Sequence, residues 1–160
     1  AVLRTAWVYA AHGKNFARTM LRVGRDRDRL EVVADQHGSP TAAPDLADAA
    51  LAVAGNLAAA PEDSALCGTF HATNAGTTTW HGFAEAIFAE VARTTGAFVP
   101  EVAAITSADW PTRAARPANT VLAGEKLNRV HGVTLPAWPD GLRRVLAELI
   151  DEMPGAGGKP

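Results

Sequence analysis

The chain has 160 residues, with 15 basic and 17 acidic side chains, and a formal charge of −2 at pH 7. This balance excludes a nucleic-acid-binding protein, which needs surplus Lys and Arg to neutralise phosphates. Hydrophobic residues form 48% of the sequence, enough for one folded domain. The sequence contains no apolar run of about 18 residues, the length that spans a membrane. The single cysteine, Cys67, excludes an intramolecular disulfide and predicts a reducing, cytoplasmic compartment.

The first third of the chain alternates strand and helix patterns. Residues 1–10 have no initiator Met and predict a strand from the first position, as in a chain cut from a longer protein. On that strand Trp7 and Tyr9 share one face. Apolar residues recur at helical spacing over 16–23, and residues 30–34 predict a second strand.

A turn and a long helix follow. Residues 35–41 are dense in turn formers, and Thr41 is placed to cap a helix that accepts Pro44 in its first turn. The apolar pattern continues to Leu57, and Pro61 ends the helix.

The remainder of the chain repeats this alternation, which predicts an α/β or α+β fold. The predicted elements are a strand at 67–72, a helix at 79–93, a strand at 99–105, an irregular stretch at 106–121, helices at 125–130 and 138–152, and a flexible tail at 153–160.

The residues themselves predict binding patches rather than a self-contained catalytic centre. The histidines are scattered, and neither Ser39 nor Cys67 sits in a nucleophile motif. Trp7 and Tyr9 form either an aromatic wall for a flat ring or part of the core. Arg113 and Arg116, in a proline-bounded loop, either hold a phosphate through paired donors or are solvated.

A polar segment before the predicted helix at 79–93 allows two interpretations. Asn74 and residues 77–79 are the residue types that cap helices. A helix N-terminus also attracts anions, so an anion site at this position stays open.

Several blocks of the sequence, in order, resemble dTDP-4-dehydrorhamnose reductase, a family of extended short-chain dehydrogenases/reductases. The pairing of Asp-Gln-x-Gly-x-Pro-Thr at 35–41 with Arg-Pro-x-Asn at 116–119 is the most specific part of the resemblance. The other blocks lie at 3–9, 15–21, 46–48, 76–80, 111–112 and 135–142.

The resemblance implies the C-terminal part of an extended Rossmann-type reductase, with the last sheet strands and a small α/β substrate-binding domain over 1–152. Family members reduce the 4-keto group of dTDP-4-dehydro-L-rhamnose with NADPH or NADH, giving dTDP-L-rhamnose. They are about twice as long, and their Gly-rich turn and Tyr-x-x-x-Lys pair are absent from this sequence. Tyr9, followed four positions later by Gly13, is therefore not the expected proton donor.

The resemblance also implies a binding site for a dTDP-sugar. Trp7 corresponds to the tryptophan that packs on the sugar nucleotide, and Gln36, Thr41, Arg116 and Asn119 are expected to shape the rest of the pocket. The expected partner is the N-terminal nucleotide-binding half.

Some family members form homodimers through magnesium held by acidic residues, one of them shortly before the motif at 46–48. That position falls at Pro44, which has no ligand atom. We therefore do not expect this magnesium site, and a homodimer stays open.

Two other functions remain open at this stage. Besides part of such a reductase, the chain is either a non-catalytic binding or regulatory module of reductase ancestry or part of a reductase for a different nucleotide sugar. Truncation predicts no turnover by the chain alone, because no residue pair supplies the proton.

Overall fold

The computed structural model describes residues 1–151, so the tail predicted at 153–160 lies outside the described residues. Helices and short strands alternate along the chain, as predicted. In order they are β1 (Val2–Arg4), β2 (Val8–Tyr9), α1 (Phe16–Val23), β3 (Arg29–Val33), β4 (His37–Gly38), β5 (Thr41–Ala42), α2 (Ala43–Ala59), a 3₁₀ turn (Ser64–Leu66), β6 (Thr69–His71), β7 (Thr78–Thr79), α3 (Trp80–Thr95), β8 (Glu101–Ile105), α4 (Glu125–His131) and α5 (Trp138–Asp151).

The strands pair mostly in parallel between distant parts of the chain. β1 pairs with β6, β2 with β5 and β3 with β8 in parallel, whereas β4 and β7 are antiparallel. Parallel pairs require crossover connections, and helices supply them here. The mixed α/β arrangement confirms the predicted fold class.

The main core lies where α3 packs between α1 and α5. The predicted stripe of α3 is buried, with Phe83 and Ile87 at 0% exposure, and α5 contributes Val145 and Leu146. A second apolar cluster lies under β6, around Phe70. These helices hold together through their apolar faces rather than through intrinsic propensity.

The strand predicted over residues 1–10 is interrupted, which corrects the expected alignment of Trp7 and Tyr9. Trp7 lies between β1 and β2 and has φ 51°, a left-handed conformation that breaks the extended backbone just before β2. Tyr9 is 1% exposed and belongs to the main core, while Trp7 is half-buried elsewhere. The core interpretation therefore holds for Tyr9 alone.

The prediction that Thr41 caps α2 is wrong. Thr41 lies in β5, and its hydroxyl donates to the Ser39 carbonyl at 3.2 Å. The N-cap is Ala42, without a side-chain cap bond, and Pro44 occupies the first turn as predicted. The pairing of β5 with β2 therefore determines where Thr41 points.

Candidate functional site

A cavity of about 720 Å³ opens between the segment after β1, helix α1, the end of β3 and the start of α3. The irregular loop at 106–121 covers another side. Its lining residues are Ala6, Trp7, Phe16, Thr19, Met20, Glu31, Val32, Val33, Gln36, Trp80, Trp110, Thr112, Arg116, Pro117 and Thr120. The lining is largely apolar and aromatic, with a few polar side chains, which is typical of a small-molecule site.

Two stacked indoles form one wall of this cavity. The rings of Trp7 and Trp80 lie nearly parallel, at 10°, with centroids 3.6 Å apart. Phe16 contacts Trp80 from α1, with centroids 4.7 Å apart, and also stacks on Phe83 in the core. The aromatic wall is therefore continuous with the core.

The loop at 106–121 is anchored at its start to the residues after β3. The Asp35 carboxylate accepts hydrogen bonds from the Ser107 backbone N–H and hydroxyl. These bonds, the backbone one first, hold the pKa of Asp35 below its usual range. The Gln36 amide donates to the Ser107 hydroxyl at 2.9 Å.

The other end of the same loop is anchored to His37. The His37 N–H donates to the Ala118 carbonyl at 2.8 Å, and the His37 carbonyl accepts from the Thr120 N–H and hydroxyl, both at 2.9 Å. Trp110 and Arg116, between the two anchors, line the cavity. Three consecutive residues, 35–37, thus fix both ends of the loop.

The structure brings three of the predicted substrate-binding residues together. Trp7, Gln36 and Arg116 line the same cavity. Asn119 lines a separate cavity of about 540 Å³ between β6 and α4. Thr41 is 0% exposed, so its side chain offers no surface to a ligand, and its expected contact is corrected.

A buried polar network around Asn74 and Asp45 joins the start of α2 to α5, and no local sequence pattern indicates it. The Asn74 amide donates to the Asp45 carboxylate at 2.6 Å and to the Pro136 carbonyl at 2.9 Å, and its oxygen accepts from Ala42 N–H at 2.8 Å. Arg144 of α5 donates to the other Asp45 oxygen. Asn74 is therefore not the expected helix cap; Thr79 caps α3.

Tyr9 is poorly placed to donate a proton to a ligand. Its hydroxyl contacts the Trp138 carbonyl oxygen at 3.5 Å inside the fold. Burial, and then the nearby Asp45 carboxylate, raise the pKa of Tyr9 far above its ordinary value, although Arg144 opposes this. The given sequence has no Gly-rich turn of the kind that holds a cofactor pyrophosphate, and the Tyr9 hydroxyl is buried inside the fold.

Metal-ligating side chains do not cluster within residues 1–151: no group of three or more could hold an ion. Pro44 lies in the first turn of α2, and the adjacent Asp45 is bonded to Asn74 and Arg144. None of the helices within these residues combines the length and the apolar character of a membrane span.

Comparison with known proteins finds one family over nearly the whole chain. The sequence model of the family described as RmlD substrate binding domain matches residues 1–150. A dTDP-4-dehydrorhamnose reductase of Burkholderia thailandensis is 40% identical over 153 residues, which cover 93% of this chain and 51% of that protein. The chain therefore spans about half the length of this curated relative.

Solved structures agree with the sequence comparison. A dTDP-4-dehydrorhamnose reductase of Clostridium acetobutylicum superposes with a TM-score of 0.80 at 33% identity, over 92% of this chain and 48% of that one. The Bacillus anthracis reductase, solved with NADP, gives a TM-score of 0.76 at 32% identity, over 91% and 47%. The fold is therefore that of the C-terminal part of a Rossmann-like reductase.

Proposed function

The chain belongs to the RmlD substrate binding domain family, and from that premise we propose that it is the sugar-nucleotide-binding half of a dTDP-4-dehydrorhamnose reductase. The parent enzyme would reduce the 4-keto group of dTDP-4-dehydro-L-rhamnose to give dTDP-L-rhamnose. The substrate-binding unit would comprise residues 1–152.

The observation that carries this proposal is the pairing of aromatic and cationic groups in the larger cavity. Trp7 and Trp80 supply a rigid aromatic wall, and Arg116 is the one cation among the lining residues that the structure describes. A guanidinium can hold a diphosphate through two parallel hydrogen bonds, and apolar side chains suit a base or sugar ring. A dTDP-sugar carries both kinds of group.

NADPH or NADH, and the proton donor, are assigned by this proposal to the remaining half of the parent. The cofactor would supply the hydride, and this chain would bind and orient the sugar nucleotide. The N-terminal half is accordingly the proposed partner. Homodimerisation and a binding role for Asn119 in the smaller cavity stay predictions.

Turnover by a chimera tests the proposal. The N-terminal half of the Burkholderia thailandensis relative would be joined before Ala1, and oxidation of NADPH would be followed with dTDP-4-dehydro-L-rhamnose. We expect turnover by the chimera and none by either half alone, because the hydride, proton and substrate sites are then divided. The chimera carrying Arg116→Ala controls for a contribution from the relative alone.

Three outcomes would contradict the proposal. A folded chimera that binds NADPH but does not reduce this substrate would favour a different nucleotide sugar. A chain that binds the sugar nucleotide but never supports turnover would favour the non-catalytic binding module. Turnover by the 160 residues alone would require a proton donor that we have not assigned.

A further inference from the structure

The Trp7 indole is enclosed by Trp80 on one side and by the backbone of Gly38 on another. A Cβ built on Gly38 would lie 2.4 Å from Trp7 Cε2, 2.6 Å from Cζ2 and 2.7 Å from Nε1. The nearest of these atoms is Cε2, a ring-fusion carbon, and the two ring atoms bonded to it, Cζ2 and Nε1, are farther from the built Cβ. An atom approaching in the plane of the ring would come closer to Nε1 or Cζ2 than to Cε2. Gly38 therefore lies against the face of the indole.

Gly38 and Trp80 cover opposite faces of Trp7. The ring centroids of Trp7 and Trp80 are 3.6 Å apart. A Cβ between the two rings and 2.4 Å from Trp7 would therefore be at least as close to Trp80 as to Trp7. The three heavy atoms nearest to the built Cβ all belong to Trp7. The Trp7 ring is therefore sandwiched between α3 and β4.

The backbone of Trp7 agrees with this confinement. A non-glycine residue at φ 51° is held in an unfavourable conformation, and such strain persists only where surrounding contacts impose it. Because Trp80 and Gly38 cover the two faces of the ring, Trp7 meets the cavity along its edge rather than through a free face. The orientation of Trp7 in the cavity thus depends on its two neighbours.

We propose that Gly38 is a positioning residue for the sugar-nucleotide site, because only a residue without a side chain lets Trp7 lie flat against Trp80. This inference rests on the proposed function for its effect on ligand binding. Its structural part, the dependence of the Trp7–Trp80 stack on Gly38, is measurable without any ligand.

The test compares Gly38→Ala with Gly55→Ala in the full chain. Gly55 lies in α2, and a Cβ there meets nothing within 4 Å. Two stacked indoles give an exciton couplet in far-ultraviolet circular dichroism, which Trp7→Phe and Trp80→Phe should each abolish. We expect Gly38→Ala to abolish it too and to weaken thymidine diphosphate binding about ten- to a hundredfold. Gly55→Ala should change neither.

The couplet decides the inference independently of the proposed function. A Gly38→Ala chain that melts cooperatively and keeps the couplet overturns it. If Gly38→Ala does not fold, the double variant with Trp7→Ala should recover the melting temperature of Trp7→Ala alone, and failure to recover also overturns it. Absence of thymidine diphosphate binding by the wild-type chain would contradict the proposed function while the couplet still tests Gly38.

Discussion

The Gln36 amide and the Ser107 hydroxyl, 71 positions apart, are joined by a hydrogen bond of 2.9 Å. The same hydroxyl donates to Asp35, so one serine ties the loop at 106–121 to the end of β3. Gln36 is thus engaged within the protein at the edge of the cavity. Its proposed contribution to ligand binding includes holding this loop in place.

Removal of the Ser107 hydroxyl should loosen the loop. Ser107→Ala eliminates the hydrogen bonds to Asp35 and Gln36 but retains the backbone bond. We expect faster tryptic cleavage after Arg113 and weaker thymidine diphosphate binding, because Arg116 is then less well positioned. Ser64→Ala, at an exposed position of the 3₁₀ turn, is the control. Equal cleavage rates in both variants would show that the side chain does not anchor the loop.

The Asp35 anchor should also be sensitive to acid. Hydrogen bonds from Ser107 lower the pKa of Asp35 in the folded chain. Such a group stabilises the fold above its unfolded pKa, and this contribution is lost as the pH falls through the folded pKa. Because an unfolded Asp titrates at about pH 3.9, the release should occur below that pH.

The backbone amide resonance of Ser107, followed by NMR across an acid titration, reports this release. We expect its midpoint below that of a free aspartate while far-ultraviolet circular dichroism still shows the helices. A midpoint at or above the ordinary value would mean that Asp35 does not hold the loop in solution.

Arg116 should act through the geometry of its guanidinium. We expect Arg116→Lys to reduce thymidine diphosphate affinity nearly as much as Arg116→Ala, because a point charge cannot reproduce paired hydrogen bonds. Arg113→Ala is the matched control, since Arg113 belongs to the same exposed loop but does not line the cavity. Calorimetric titration gives the affinities. If Arg116→Lys keeps full affinity, Arg116 acts through general electrostatic attraction and not through paired hydrogen bonds.

Asn74 should be important for stability. Asn74→Ala leaves the Ala42 N–H without its partner and removes the Asn74 bond to the buried Asp45 carboxylate, which then retains only Arg144. We expect the free energy of unfolding to fall by about 2–4 kcal/mol. Asn128→Ala, at an exposed position of α4, should change it by less than about 0.5 kcal/mol. Urea unfolding measures both, and equal effects would contradict the buried network.

The helices could be predicted because their apolar residues repeat at a regular spacing. Phe83, Ile87 and Val91 follow the helical period and are all buried in α3. The break at Trp7 could not be predicted, since no local pattern marks a tryptophan with positive φ. The sequence places Thr41 at the cap of α2, but the observed N-cap is Ala42, one position later. Pairing of β5 with β2 holds Thr41 in a strand and overrides its capping preference.

The site was predicted in part. The residues themselves indicate Trp7 and Arg116 as binding candidates, the resemblance adds Gln36, and all three line one cavity. The bonds that anchor the loop and those of the buried polar network could not be predicted, because each joins distant positions. Asp35 and Ser107 are 72 apart, and Asp45 and Arg144 are 99 apart. Such pairs carry no local periodicity, so a single sequence does not indicate them.

The indole N–H resonances of the 4 tryptophans show whether the larger cavity holds the sugar nucleotide. Trp7, Trp80 and Trp110 line the proposed site, whereas Trp138 packs on Phe83 in the core. Each resonance can be assigned by a Trp→Phe variant, and the ¹⁵N-labelled chain titrated with dTDP-L-rhamnose. We expect saturable shifts of the three cavity indoles and an unmoved Trp138 resonance. A folded chain whose cavity indoles stay unshifted at saturating ligand, or in which only Trp138 moves, would contradict the proposed site.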